Sequence, residues 1–198
     1  MRPQAGVGKL KHASPLRAQE LPCWPVHGSA WKPLRLFMAS RQRPLLDPGS
    51  RAPGFRLSSL EGGKGTLAEW TARGRVLLVF FKVTCPVCQL TMPFLERMHG
   101  SGRLAVCGIS QNDAADTREF NRQFGVTFGT LLDSEDEEFP ASNAYGISSV
   151  PSMFLVEPDG AIARAIEGWS KADMEALGAL AGMSLFRPQD NVPAWKAG

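Results

Sequence analysis

Two cysteines three positions apart, Cys85 and Cys88, are the residues of this chain best suited to chemistry. They lie in FFKVTCPVCQLTMP (80–93), where an apolar run ends and a helical pattern begins. At this spacing on a helix, the Cβ atoms are about 5–6 Å apart, so the two sulfurs can form a disulfide after a small local adjustment. The pattern predicts a pair that cycles between dithiol and disulfide.

The position of the first cysteine predicts which sulfur is more reactive. A strand that runs directly into a helix places Cys85 beside the first backbone N–H groups of that helix, which have no partner within it. The helix dipole adds about half a positive charge at the same end. Cys85 should therefore ionise more readily than Cys88, one turn further on, so we expect Cys85 to attack and Cys88 to resolve.

Three prolines accompany this pair. Pro86 falls at the first helical position, where its missing N–H costs nothing. Pro93 falls two turns into the helix, removes one hydrogen bond and predicts a kink that tilts the cysteines away from the sheet. Pro151 precedes the apolar run SMFLV, and a cis Val150–Pro151 bond would present the Val150 backbone to an incoming chain as a strand-like docking edge.

The elements that must position these residues alternate along the chain. Strand patterns, including one hairpin at each end, occupy 51–67, 75–83, 104–110, 128–134 and 151–168. Helical spacing is found over 85–100, 113–125 and 170–181. Because strands alternate with helices, the sequence predicts an α/β fold with a central mixed β-sheet flanked by helices, an N-terminal hairpin and a helix–strand insert.

The first 48 residues differ in composition from the rest. They hold eight Lys/Arg against two Asp/Glu and seven of the fifteen prolines, without a sustained period. We interpret 1–48 as an irregular or disordered extension, with Met38 as an alternative start, 49–183 as the folded domain, and 184–198 as an extended tail. The part from 49 onward holds fourteen Lys/Arg against seventeen Asp/Glu, which argues against a nucleic-acid-binding face.

The longest apolar stretch of the extension is LFMA (36–39), too short for a signal peptide or a membrane span. We therefore expect a cytoplasmic protein, with an extracytoplasmic location left open if the start lies elsewhere. The four cysteines of a chain of 198 residues do not suggest a disulfide framework. We expect no nucleic-acid or membrane partner, no cofactor, and a monomer or weak dimer.

Several ordered motifs resemble the thioredoxin superfamily. They are CPVC after an apolar strand, Pro93 five residues beyond the second cysteine, and Val150-Pro151 ahead of SMFLVEPDG. The hairpin APGFRLSSLEGG and the extra helix and strand between 111 and 132 resemble its redoxin, AhpC/TSA and TlpA-like branch. The resemblance covers about 51–182. It implies a thioredoxin-like fold with a four- or five-stranded sheet, a cis bond before Pro151, and thiol–disulfide exchange with protein partners.

On this resemblance, Cys85 and Cys88 are the catalytic residues of a thiol–disulfide oxidoreductase. Val150 and Pro151, together with Thr84 and Pro86 beside the first cysteine, are the residues expected to contact the substrate. The expected partners are protein thiols or disulfides and an electron donor that the sequence does not identify.

The chain departs from the family pattern in the groups that move protons. Thr84 stands where thioredoxins usually carry a tryptophan. The buried acid six residues before the first cysteine is replaced by Val79, and the acid that many TlpA-like reductases carry three residues after the second cysteine is replaced by Thr91. No general base for Cys88 is therefore evident, and Lys82 is left as a group that could stabilise a thiolate electrostatically.

Three other interpretations stay open. A zinc half-site would need two further ligands, and the candidates are scattered: His12, Cys23, His27, His99 and Cys107. We expect no metal, and Cys107, within LAVCGIS, is expected to be a small buried hydrophobe. An AhpC/TSA-type peroxidase would form a sulfenic acid on Cys85, although the strand lacks the proline of that motif. The third alternative is a non-enzymatic thiol sensor or binding module.

Overall fold

The computed structural model describes residues 44–198, and its centre is a seven-stranded mixed β-sheet. The strands of this sheet are β1 (Arg56–Ser59), β2 (Lys64–Thr66), β3 (Val76–Phe81), β4 (Ala105–Ser110), β5 (Thr130–Leu132), β6 (Ser152–Val156) and β7 (Ile162–Glu167). Their order is β2-β1-β5-β4-β3-β6-β7, and β3, β4 and β5 are parallel to one another. The thioredoxin-like α/β fold is thereby confirmed.

Five helices cover the two faces of the sheet. They are α1 (Leu67–Thr71), α2 (Pro86–Gly100), α3 (Ala114–Phe124), α4 (Pro140–Tyr145) and α5 (Lys171–Leu180). Buried side chains of α2, α3 and α5 pack in one core cluster, and those of α1 and α4 pack in the other. The predicted helices are found within a few residues of their expected bounds. The acidic run after β5 forms a short 3₁₀ turn over Glu135–Glu137.

The central strand β3 explains why its sequence is a continuous apolar run. Leu77, Val79 and Phe81 belong to the cluster that contains α2, whereas alternate residues such as Leu78 and Phe80 belong to the opposite cluster. All six residues of β3 are fully buried. A strand covered on both faces needs apolar side chains at every position.

The strand count implied by the family resemblance was too low. The hairpin of β1 and β2 does not stand apart from the sheet, because Ser58 and Ser59 of β1 pair antiparallel with Leu132 and Leu131 of β5. This pairing extends the expected four- or five-stranded sheet to seven strands. The predictions for residues 1–43, including the irregular extension and the Met38 start, lie outside the described residues.

The tail (residues 184–198) packs against the domain through side chains that no periodicity predicted. Leu185 is buried in the α2 core cluster. The ring of Phe186 lies 5.0 Å from that of Phe94 and 6.0 Å from that of Trp169, measured between centroids. Arg97 of α2 donates two hydrogen bonds to the carboxylate of Asp190, at 2.5 and 3.1 Å. These contacts tie the tail to the helix that begins with the cysteine pair.

The last part of the tail forms a second, two-stranded sheet. Strand β9 (Trp195–Lys196) pairs antiparallel with β8 (Trp169–Ser170), which directly follows β7. The indole Nε1 of Trp169 donates to the carbonyl of Pro193 at 2.7 Å. Within residues 44–198, no helix is both long enough and apolar enough to cross a membrane.

Candidate active site

Cys85 is the N-cap residue of α2, as the strand–helix junction predicted. Its sulfur accepts a hydrogen bond from the backbone N–H of Cys88 at 3.2 Å. Its thiol also donates to the carbonyl oxygen of Val150 at 3.1 Å. Cys85 is half-buried, so its sulfur is reachable from solvent while both of these contacts hold it in place. The first cysteine therefore has a defined hydrogen-bond donor and a defined acceptor.

Cys88 lies in a different environment one turn into the helix. Its side chain is fully buried in the α2 core cluster, and neither cysteine is in a disulfide. Burial raises the pKa of the Cys88 thiol far above its ordinary value, and the hydrogen bond with Cys85 raises it further, while backbone hydrogen bonds at Lys82 and Cys88 oppose the shift. Cys88 is therefore held as a neutral thiol, and the pair is asymmetric as the sequence predicted.

Val150 and Pro151 lie directly beside the first cysteine, although 65 residues separate Val150 from Cys85. The peptide bond between Val150 and Pro151 is cis, as the resemblance implied. The carbonyl of Pro151 accepts a hydrogen bond from the N–H of Gly168 at 2.8 Å, which links this loop to the end of β7. The structure thus brings four of the six predicted site residues together.

The other two predicted site residues, Thr84 and Pro86, flank the first cysteine and are exposed. Pro86 is the first residue of α2, the position that its spacing predicted. Helix α2 continues through Pro93 to Gly100, and the predicted kink stays a prediction. Thr84 and Pro86 therefore lie at the exposed rim beside Cys85, and their contact with a substrate stays a prediction.

Two amides hold the turn between β3 and α2, and the sequence analysis did not identify either. The side-chain oxygen of Asn112 accepts from the backbone N–H of Val83 at 3.0 Å, and Nε2 of Gln89 donates to the carbonyl of Val83 at 3.0 Å. Asn112 follows β4, which is parallel to β3. Since the carboxyl ends of parallel strands meet at one sheet edge, a polar residue just after β4 was the signal that could have found it.

Val79 and Thr91 stand where related proteins carry the acids that move protons near the cysteines. Val79 and Thr91 are fully buried, and the Thr91 hydroxyl donates to the carbonyl of Val87 at 2.7 Å. No carboxylate of the described residues is among the groups that shift the pKa of Cys88. Lys82 is exposed, with its ammonium 5.9 Å from the centre of the Phe139 ring. The site therefore lacks a neighbouring carboxylate base within the part of the chain that is described.

Two further residues named for their chemistry or size, Cys107 and Trp169, are part of the core, and the burial of Cys107 was predicted. Cys107 is fully buried in β4, and burial raises the pKa of its thiol. Trp169 is also fully buried and packs on Phe94 at 5.2 Å between ring centroids. Between residues 44 and 198, no three His, Cys, Asp or Glu side chains are grouped as metal ligands would be. The other candidate ligands, His12, Cys23 and His27, lie outside the described residues.

Comparison with known proteins shows similarity to a family of thiol-dependent proteins. The model of the AhpC/TSA family matches residues 48–165. A thiol-disulfide oxidoreductase ResA of Geobacillus thermodenitrificans is 29% identical over 124 residues, which are 61% of this chain and 69% of that protein. The protein of the same name from Bacillus subtilis is 24% identical over 128 residues, covering 62% and 69% of the two chains.

Solved structures show the same fold. A putative thiol:disulfide interchange protein DsbE from Chlorobium tepidum superposes with a TM-score of 0.60 and 25% identity, over 71% of this chain and 99% of that one. The peroxidoxin BcpB of Mycobacterium tuberculosis superposes with a TM-score of 0.58 and 18% identity, over 71% and 96% of the two chains. At that identity, the peroxidoxin is evidence for the fold alone.

Proposed function

We propose that Cys85 attacks and Cys88 resolves in this chain, which belongs to the AhpC/TSA family. The chain is a thiol–disulfide oxidoreductase. The observation that carries the proposal is the asymmetry of the pair. Cys85 is accessible, caps a helix start and receives the N–H of Cys88, whereas Cys88 is buried and neutral. The substrates belong to the class of protein thiols and disulfides.

In the first step, the Cys85 thiolate attacks one sulfur of a disulfide in the partner. A bond forms between Cys85 Sγ and that sulfur, the partner's S–S bond breaks, and the other partner sulfur leaves as a thiolate that takes up a proton. The N–H of Cys88 and the dipole of α2 stabilise the negative charge on Cys85 before the attack. No metal or organic cofactor takes part in this exchange.

Deprotonation of Cys85 also frees a docking group. The neutral thiol donates to the carbonyl of Val150, but a thiolate has no proton to donate, so this carbonyl becomes available to another donor. The backbone N–H of an extended partner segment is a suitable donor, as in other cases of strand-like docking. We place the partner chain along Val150 and Pro151, with Thr84 and Pro86 at the opposite rim.

In the second step, the Cys88 thiolate attacks Cys85 Sγ. The mixed disulfide breaks, the partner leaves as a thiolate that is then protonated, and Cys85 and Cys88 form the disulfide. Return to the dithiol requires two electrons from a thiol donor. The same steps in reverse oxidise a partner dithiol, and the reduction potentials of the partners decide the direction.

The peroxidase alternative has less support. A peroxidase of this type also uses an arginine near its cysteine, and the sequence offers Arg97 and Arg122 as candidates. Both are engaged elsewhere: Arg97 binds Asp190, and Arg122 pairs with Glu119 on the surface of α3. The hydrogen-bond partners of the Cys85 sulfur are the Val150 carbonyl and the Cys88 N–H. Peroxide consumption coupled to a thioredoxin system, without reduction of insulin disulfides, would reverse the ranking of the two activities.

The test of the proposal is a trapping experiment with Cys88→Ser. This variant should reduce no insulin in multiple turnover but should accumulate mixed disulfides through Cys85, visible on non-reducing gels and lost on adding dithiothreitol. Cys107→Val is the matched control, because it removes a buried cysteine of the same domain and should retain turnover. If Cys88→Ser traps nothing, Cys85 does not form the mixed disulfide, the proposed division of roles is wrong, and a binding role for the site gains support.

We also propose that the protein is cytoplasmic and that it works as a monomer or weak dimer. Fractionation of cells with an antibody against the chain tests the first, and sedimentation of the purified protein tests the second. A chain found outside the cytoplasm, or a stable higher oligomer, would contradict them.

A further inference from the structure

Three half-buried valines lie near the first cysteine. Val83 and Val87 stand on either side of Cys85 in sequence, the backbone carbonyl of Val150 accepts from its thiol, and all three valines pack at the edge of the α2 core cluster. Their side chains add apolar surface near a reactive group. Apolar patches that remain on the surface of a folded protein mark sites of interaction.

The tail brings a second apolar group to this side of the molecule. Among residues 44–198, two large apolar side chains are exposed: Trp195 on β9, at 65%, and Leu180 at the end of α5, at 41%. Burying an indole on a partner gives a large apolar contact at low conformational cost, and tryptophan is enriched among the residues that dominate binding energy. An exposed tryptophan in a paired strand therefore suggests a binding residue.

Backbone contacts tie Trp195 to the docking edge. Trp195 pairs with Ser170, and the carbonyl of Ala194 accepts from the N–H of Lys171 at 2.9 Å, so β9 is fixed against the start of α5. Three residues further on, the backbone of Gly198 lies so close to Val150 that a Cβ there would approach the Val150 carbonyl oxygen to 2.9 Å. The segment from Trp195 to Gly198 thus ends beside the carbonyl that contacts Cys85.

The same segment passes closely over the end of β7. A Cβ on Gly168, whose φ is +71°, would meet the carbonyl oxygen of Lys196 at 2.5 Å. A side chain at residue 168 would therefore push the tail away from the site. Gly168 also donates its N–H to the carbonyl of Pro151. The same glycine is therefore hydrogen-bonded to the docking loop and leaves the space through which the tail passes.

We propose that Trp195 is a partner-binding residue that selects substrates with an apolar side chain about three residues from the attacked cysteine. A strand rises about 3.3 Å per residue, so the three residues from Gly198 to Trp195 span about 10 Å. A partner segment that runs beside the tail, with its cysteine at Cys85, covers the same length in three residues. The inference rests on the proposed exchange at Cys85, and it adds a specificity that the cysteine pair does not provide.

The experiment compares peptide disulfides that differ at one position. One set carries Phe three residues before or after the cysteine, and the other carries Ser there; a small disulfide, bis(2-hydroxyethyl) disulfide, is too short to reach Trp195. With the dithiol form of the protein, Trp195→Ala should lower the second-order rate constant for the Phe peptides by about tenfold. The rate constants for the Ser peptides and the small disulfide should stay within about twofold.

Two variants serve as controls. Trp195→Phe keeps an aromatic side chain and should retain most of the preference for Phe peptides. Leu180→Ala removes the other exposed large apolar side chain and should leave every rate constant unchanged. Equal losses with peptides and the small disulfide would show a structural role for Trp195. Unchanged rates would show that it contacts no partner, and raised rates would show that it covers the site; each of these results overturns the inference.

Failure of the inference can be told apart from failure of the proposed function. If the unaltered protein reduces neither the peptides nor the small disulfide, the exchange reaction itself is wrong. If it reduces both and Trp195→Ala behaves identically, only the role of Trp195 is wrong.

Discussion

The junction that carries the cysteine pair and the tail that ends beside Val150 reach the same edge of the molecule by different means. Most of the contacts that hold the junction join near neighbours in sequence: the N–H of Cys88 reaches Cys85 three residues away, and Gln89 reaches Val83 six residues away. The exception is Asn112, which accepts from the N–H of Val83 across 29 residues. The tail is held by contacts across 24 residues, from Trp169 to Pro193, and across 93 residues, from Arg97 to Asp190.

This difference separates two properties of the enzyme. The reactivity of the sulfurs follows from one strand end and one helix start, and it would survive changes elsewhere that leave β3 and α2 intact. The surface proposed to meet the partner depends on the whole fold, because the Val150 loop and the tail reach this edge from distant parts of the chain. Changes at the junction should therefore affect all substrates equally, whereas changes in the tail should affect large substrates or stability.

The largest effect is expected at the accessible sulfur. Cys85→Ser should lower thiol–disulfide exchange by more than about a thousandfold for every disulfide tested, because a serine hydroxyl does not ionise near neutral pH and cannot form the mixed disulfide. Rate constants with insulin and with a small disulfide measure this loss. A variant that kept activity with either substrate would move the attack to Cys88 and contradict the asymmetry of the pair.

The resolving step should depend strongly on pH. Burial raises the pKa of Cys88, and no neighbouring carboxylate of the described residues lowers it, so only a small fraction is thiolate at neutral pH. Below that raised pKa each pH unit increases the thiolate fraction about tenfold, so breakdown of a preformed mixed disulfide should accelerate about a hundredfold between pH 6 and pH 8. Rapid acid quenching measures this rate.

A flat pH profile of that breakdown would show that another group removes the proton from Cys88. Thr91→Glu provides a second check, because it places a carboxylate one turn from Cys88 on α2. It should flatten the profile near neutral pH if the missing base limits resolution. Thr91→Val, which also removes the hydroxyl but adds no acid, should leave the slope unchanged.

The catalytic side of this comparison could be predicted because its signals are local. A continuous apolar strand, a cysteine at the helix start and Pro86 at the first helical position are each visible within a few residues, and they predicted the N-cap position of Cys85. The position of Val150 was predicted through the family resemblance, since no local pattern brings it 65 residues along the chain to Cys85.

The tail side could not be predicted because its contacts carry no period. Asp190 is one acid among several prolines and polar residues, and only the fold places it against Arg97. Leu185 packs so closely on α5 that a Cβ added to Gly178 would lie 2.7 Å from the Cβ of Leu185. The sequence shows a glycine at residue 178, but it does not show which residue packs against it.

Two leucines near the end of the chain sharpen the comparison in terms of stability. Leu185 is 2% exposed and Leu180 is 41% exposed. Leu185→Ala should lower the free energy of unfolding by about 2–3 kcal/mol, because it leaves a cavity between the tail and α5, whereas Leu180→Ala should change it by about 0.5 kcal/mol or less. Urea unfolding measures both. Equal small effects would show that the tail is not part of the cooperative core.

The smallest effect is expected from releasing the tail with acid. The hydrogen bonds from Arg97 lower the pKa of Asp190 to about 2, and the backbone N–H of Arg187 contributes in the same direction. Because this pKa is below the ordinary value of the unfolded chain, near 3.8, the carboxylate stabilises the docked tail fully above about pH 3.8. This stabilisation is lost as the pH falls through about 2.

Hydrogen exchange of the peptide that covers the tail should therefore accelerate, relative to the intrinsic rate, between about pH 4 and pH 2. Asp190→Asn should show the faster relative exchange already at neutral pH, while Asp159→Asn, in the turn between β6 and β7, should not. If both variants protect the tail as well as the unaltered chain does, the Arg97–Asp190 pair does not hold it, and the apolar contacts of Leu185 and Phe186 alone are sufficient.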